Sequence, residues 1–157
     1  MDLSWINVAD TSVKIGLGAL ISAISGYIVF MKTQSHNERK EEKVHFYKLQ
    51  EEKKLKYVDF LVQSQELIQS HLYSACTPDS EPYKSYLRAF NEVQIISNDD
   101  IRSIAYNVSH DVQSFIFLNK NQQEISLLDG MAQAAREKVA AFQKLAQVEV
   151  TKQYSKT

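Results

Sequence analysis

Cysteine is almost absent from this chain: Cys76 stands alone among 157 residues, so no intramolecular disulfide forms and no paired-thiol redox motif is available. That lone thiol is read as an ordinary packed or solvated side chain, as expected in a reducing compartment. Proline and glycine are scarce as well, two and four residues, which leaves few sites for sharp turns and points to a helix-rich fold. Charge of one sign is missing. The 18 basic and 19 acidic residues leave a net charge of -1, and without net basicity there is no strong nucleic-acid signal. Also missing are a P-loop, a GxSxG elbow, a dinucleotide fingerprint and a zinc motif. The histidines His36, His45, His71 and His110 never stand at the three- or four-residue spacing that places two ligands together on a helix. The expectation is no metal, no cofactor and no enzyme.

What the sequence does contain is one apolar run. Between Lys14 and Lys32 lies IGLGALISAISGYIVFM, 17 residues without a charge, which as a helix spans about 26 Å and predicts a transmembrane helix over 14–32. Lys14 and Lys32 flank it, and Trp5 and Tyr27 suit the two interfaces. A cleaved signal peptide fits poorly, because Asp2 and Asp10 replace the basic leader and no A-x-A site follows the run. The basic residues Lys32, Arg39, Lys40 and Lys43 outnumber Lys14 on the other flank. The positive-inside rule then puts residues 1–13 outside as a short tail and the large domain in the cytoplasm, with the inner (plasma) membrane as the location. Gly18, Ser22, Ser25 and Gly26 form a small-residue stripe of the kind that lets helices approach in lipid, so homo-oligomerisation is expected.

Residues 33–56, free of glycine and proline and rich in charge, read as a helical stalk continuing from the membrane segment. Glu52 and Lys56 sit at the spacing of a favourable surface pair. From 57 to 150 four amphipathic segments follow. Leu55, Val58, Leu61, Val62, Ile68 and Leu72 mark the first, expected to end near Ala75. CTPDSEP is a turn and restart, with Asp79 or Ser80 as cap and Pro82 in the first turn of the next helix. Tyr83, Tyr86, Leu87, Phe90 and Val93 give its apolar face. A break at SNDD, with Ser97 and Asp100 in capping-box spacing, starts a helix at about Asn98. Its face is Ile101, Ile104, Ala105, Val108, Val112, Phe115 and Ile116. Leu128, Met131, Ala135, Val139, Phe142 and Leu145 carry a last helix through about Val148, and 151–157 reads as a disordered tail. The fold class is therefore all-α: one N-terminal transmembrane helix, a charged stalk and an antiparallel cytoplasmic bundle of about four helices.

Three chemical patterns have a plainer explanation. Ser109, His110 and Asp111 are adjacent, so on a helix they point about 100° apart and form no relay. Arg39 and His45 match the Arg–His spacing used by some helical nucleases of defence and toxin systems, but they lie in the solvated stalk. Arg102 and His110 are the alternative catalytic pair, gathered only if a dimer brings them together. YKSYLRAF interleaves aromatic and basic residues, as single-strand binders do, yet any tyrosine-rich amphipathic helix shows the same spacing. The expected function is a membrane-anchored interaction or scaffold protein whose bundle self-associates or recruits a protein partner to the bilayer. The overall plan loosely resembles membrane accessory proteins of bacterial phage defence, which implies an alternative as an oligomeric, pore-like membrane-permeabilising effector. A divergent RNase is a further alternative.

Overall fold

The computed structural model describes the backbone of residues 3–121 and 123–155, and the side chains of 25–34, 38–121 and 123–155. Four helices account for the secondary structure among these residues: α1 (Leu3–Ser70), α2 (Glu81–Ile96), α3 (Asp99–Ile116) and α4 (Ile125–Val150). The chain divides into two units, Met1–His45 and Phe46–Thr157.

The first unit is the N-terminal part of α1. Its described side chains include five consecutive large apolar residues, Tyr27, Ile28, Val29, Phe30 and Met31, each half or more exposed. Thr33 bonds back to the Val29 carbonyl at 2.8 Å, which satisfies its hydroxyl without a break in the helix. Among the described residues no helix is long and apolar enough to cross a membrane. Most of the apolar run expected to do so, residues 15–24, lies outside the described side chains, as do Trp5, Lys14, Gly18 and Ser22.

The second unit is an antiparallel four-helix bundle formed by the C-terminal part of α1 with α2, α3 and α4. Contacts along α1 fix its direction. Phe46, Lys53, Tyr57 and Phe60 meet Tyr154, Glu149, Phe142 and again Phe142 in turn, so α4 runs against α1. Lys56 pairs with Glu92 at 2.8 Å and Phe60 stacks on Tyr86, so α2 also runs against α1. Short connections enforce this order, since a tight link leaves sequential helices no choice but to reverse.

Sequence patterning and structure part company on α1. The core takes Tyr57, Phe60, Leu67 and Ile68 from this helix, whereas Leu55, Val58 and Val62 remain exposed. Of the aliphatic stripe expected to face inward, Ile68 is buried and Leu61 and Leu72 pack against the core, while Leu55, Val58 and Val62 form a second apolar face, and Tyr57 and Phe60 set the core face beside them. Aromatic rings bury more area than valine or leucine and dominate the choice. Farther along, Ala132, Ala135, Val139, Phe142 and Ala146 are buried on α4 while Leu145 remains 40% exposed. The α2 and α3 faces lie as their spacing predicts, with Tyr83, Tyr86 and Val93 on one and Ile101, Ala105, Val108, Val112, Phe115 and Ile116 on the other.

Helix ends also differ from expectation. α1 stops at Ser70, five residues before Ala75. His71 closes the end by placing Nδ1 3.0 Å from the Leu67 carbonyl, and because a carbonyl only accepts, that nitrogen carries the proton. Cys76, buried, ties the following loop to the end of α3 through its amide and the Ile116 carbonyl at 2.7 Å. At α3 the cap is Asn98 rather than Ser97, its Oδ1 accepting from the Ile101 amide at 3.0 Å. Asn98→Ala is expected to lower bundle stability by about 1–2 kcal/mol in denaturant titration, because a helix cap and a second bond to α4 vanish together.

Candidate functional site

Two arrangements of polar groups interrupt the apolar bundle, one at an end and one at mid-height. At the end, Glu149 on α4 is almost fully buried, its side chain 8% exposed. Lys53 from α1 donates to its Oε1 at 2.8 Å, and Lys152 and the Asn98 amide donate to its Oε2 at 2.6 and 3.0 Å. Burial by itself would push the Glu149 carboxyl up, but the bonds from Lys152 and Lys53 and their positive charges outweigh it and hold the group below its ordinary range. Asn98 spends its Oδ1 on the α3 cap and its Nδ2 on Glu149. One carboxylate thereby joins α1, the α2–α3 turn and α4. Next to it the Tyr57 hydroxyl accepts from Ser97 at 3.0 Å, and burial raises its pKa.

At mid-height, Tyr86 is fully buried. Its hydroxyl lies near Ser64, which donates to the Phe60 carbonyl, and Ser109, which accepts from Gln113, both at 2.7 Å. The Tyr86 hydroxyl itself makes no hydrogen bond of ordinary geometry. Burial pushes its pKa up to about 12 against a smaller opposing pull from Ser109 and Ser64. Tyr86→Phe is therefore expected to leave the denaturation midpoint unchanged or raise stability by up to about 1 kcal/mol, since an unpaired buried hydroxyl is removed. A clear loss of stability would mean that the hydroxyl is bonded.

Lys120, in the α3–α4 connection, folds over the Phe115 ring, 4.1 Å from its centre, and donates to the Phe115 carbonyl. Burial lowers its pKa. It closes the C-terminal end of α3, as a cation near the helix's negative pole should.

The pairs singled out for catalysis are not gathered within one chain. Arg102 is bound to Asp99 at 3.1 Å and His110 lies 3.0 Å from Asp111. Both face solvent on α3, about 12 Å apart along its axis. Ser109 is buried against Gln113 and takes no part with His110. Arg39 and His45 are exposed on α1. Among the described residues no group of histidine, cysteine or acidic side chains is placed to hold a metal ion. Of the residues expected in a membrane helix that have described side chains, Ser25, Gly26, Tyr27 and Lys32 are exposed, and a methyl group added at Gly26 would meet nothing within 4 Å.

Sequence reading missed the Glu149 cluster. Lys53 and Glu149 are 96 residues apart, and each looks like an ordinary surface charge. The one available hint was that Glu149 continues the buried α4 stripe of Phe142 and Ala146. Comparison of the chain with protein-family models, curated proteins and solved structures finds no match.

Proposed function

We propose that this chain is a non-enzymatic, single-pass membrane-anchored interaction protein, whose cytoplasmic bundle self-associates or brings a partner to the inner membrane. The observation that carries this reading is the exposed sequence Tyr27–Met31. Five consecutive residues go all the way round a helix, so this stretch is apolar on every side, a pattern that suits lipid or a surrounding protein core rather than water. It is the end of the uncharged run that begins at residue 15. The Glu149 cluster supports a binding role over a catalytic one, because Lys53, Lys152 and Asn98 all bond to that carboxylate and cross-link helices. Anchoring adds effective concentration: confinement to a surface makes modest contacts sufficient.

Alkaline carbonate extraction of membranes from cells expressing the full chain tests the anchor. The protein is expected in the membrane pellet, and release by Ile28→Asp with Phe30→Asp is expected to follow from the cost of placing charges in lipid. Unsubstituted protein in the alkaline supernatant would remove the anchor from the proposal.

A further inference from the structure

Helix α1 carries more apolar side chain than the bundle uses. With Phe60 and Tyr57 turned into the core, Leu55, Val58 and Val62 stand 63%, 50% and 44% exposed on another face. Beside that face runs a groove of about 440 Å³ between α1 and α4, with Val58, Leu61, Ala146 and Val150 among its walls. We propose that this face is the docking surface for a second copy of the chain, α1 lying against α1 in parallel and in register. The proposal deepens the interaction reading above by naming its partner and surface.

Spacing and charge both select that occupant. Leu55, Val58 and Val62 recur at three and four residues, the alternation of a coiled-coil seam, with Glu51 and Gln65 closing it at either end. One flank of the seam is acidic throughout: Glu52, Asp59 and Glu66. The other flank holds Lys54 and Leu61. In an antiparallel pair like flanks meet, and Asp59 would oppose the partner's Asp59. In a parallel pair unlike flanks meet, so Lys54 faces the partner's Asp59 and the symmetric pair forms as well. The charges are available for exchange. Lys54 and its neighbour Glu51 are 3.5 Å apart and more than half exposed, and Asp59 accepts from Gln63 at 3.0 Å on the surface. An anionic bilayer does not suit this face, because its acidic residues would repel the headgroups.

Single cysteines in the full membrane-bound chain test the arrangement, with the unsubstituted protein, whose Cys76 is buried, setting the background. Under mild oxidation Leu55→Cys and Val62→Cys are each expected to cross-link to themselves, at least tenfold more than Tyr106→Cys on the far helix α3. Cross-linking only when Leu55→Cys and Val62→Cys are mixed would indicate antiparallel packing and overturn the proposal; so would equal yields at all three positions. Lys54→Glu is expected to lower the cross-linked fraction of Val62→Cys roughly tenfold by replacing two attractions with two repulsions. Adding Asp59→Lys should restore it, and failure to restore it would rule out the parallel register. Carbonate extraction of the same samples separates the two readings. Protein that stays in the membrane without cross-linking keeps the anchor and loses this dimer, whereas protein that extracts yet cross-links keeps the dimer and loses the anchor.

Discussion

Phe60→Ala is expected to lower the unfolding free energy by about 4 kcal/mol, seen as a fall of roughly 15 °C or more in the melting temperature of the bundle. Phe60 is completely buried. Its ring centre lies 5.2 Å from Phe142, 5.5 Å from Tyr86 and 6.0 Å from Phe90, so one side chain joins α1 to both α2 and α4. Truncation to alanine loses the transfer energy of the ring and leaves a cavity that three neighbouring rings cannot close by a simple rotamer change. Val58→Ala, two residues away on the exposed face, should cost the isolated bundle under about 0.5 kcal/mol. Equal losses from the two substitutions in thermal denaturation would mean that the aromatic face of α1 is not the core face.

Glu149→Ala is expected to cost about 3 kcal/mol by denaturant titration, because Lys53 would be left in a nearly closed site without its counter-charge and Asn98 would lose a bond. Side-chain exposure of 12% at Lys53 and 8% at Glu149 places the pair much nearer the buried than the surface class, where an isolated pair is worth little. Glu149→Gln keeps the shape and some of the hydrogen bonds and should fall between wild type and Glu149→Ala. The same group makes stability depend on pH. A carboxylate whose folded pKa is depressed contributes stability that is present above its unfolded pKa and is lost as pH falls through the folded value. Wild-type protein is therefore expected to lose stability as pH drops below the ordinary glutamate range, and Glu149→Gln should show a flatter profile there. Parallel acid profiles for the two proteins would remove Glu149 from this role.

The bundle's stability and its association surface are separable on this view because they use opposite faces of one helix. Substitutions at Phe60 or Glu149 act on folding. Changes at Leu55, Val58, Val62, Lys54 and Asp59 are expected to act on pairing and to leave the monomer's fold intact. The charged stretch at Glu51–Lys56 serves both ends: Lys53 is turned inward to Glu149, Lys56 pairs with Glu92 at 2.8 Å on the α2 side, and Lys54 points to the free face. Three lysines that look alike in sequence thus have three different surroundings.

The all-helical class, the α3 core and the turn at Pro82 were readable directly from the chain, because each depends on local chemistry: apolar spacing, the scarcity of glycine and proline, and one favourable proline position. The uncharged run from residue 15 to 31 is of the same kind, a property of composition alone. Tertiary structure decided what periodicity leaves open. On α1, both the Leu55–Val58–Val62 stripe and the Tyr57–Phe60 pair fit a helix, and only the presence of Tyr86, Phe90 and Phe142 opposite made the aromatic face the buried one. Likewise Asn98 rather than Ser97 became the cap because its amide also reaches Glu149, and Lys53 and Glu149 became partners only when the fold brought α1 and α4 together. Local propensity is set by neighbours within a turn or two of helix, whereas the choice among several acceptable faces, caps and ion pairs depends on side chains from distant parts of the chain and is made only when they pack.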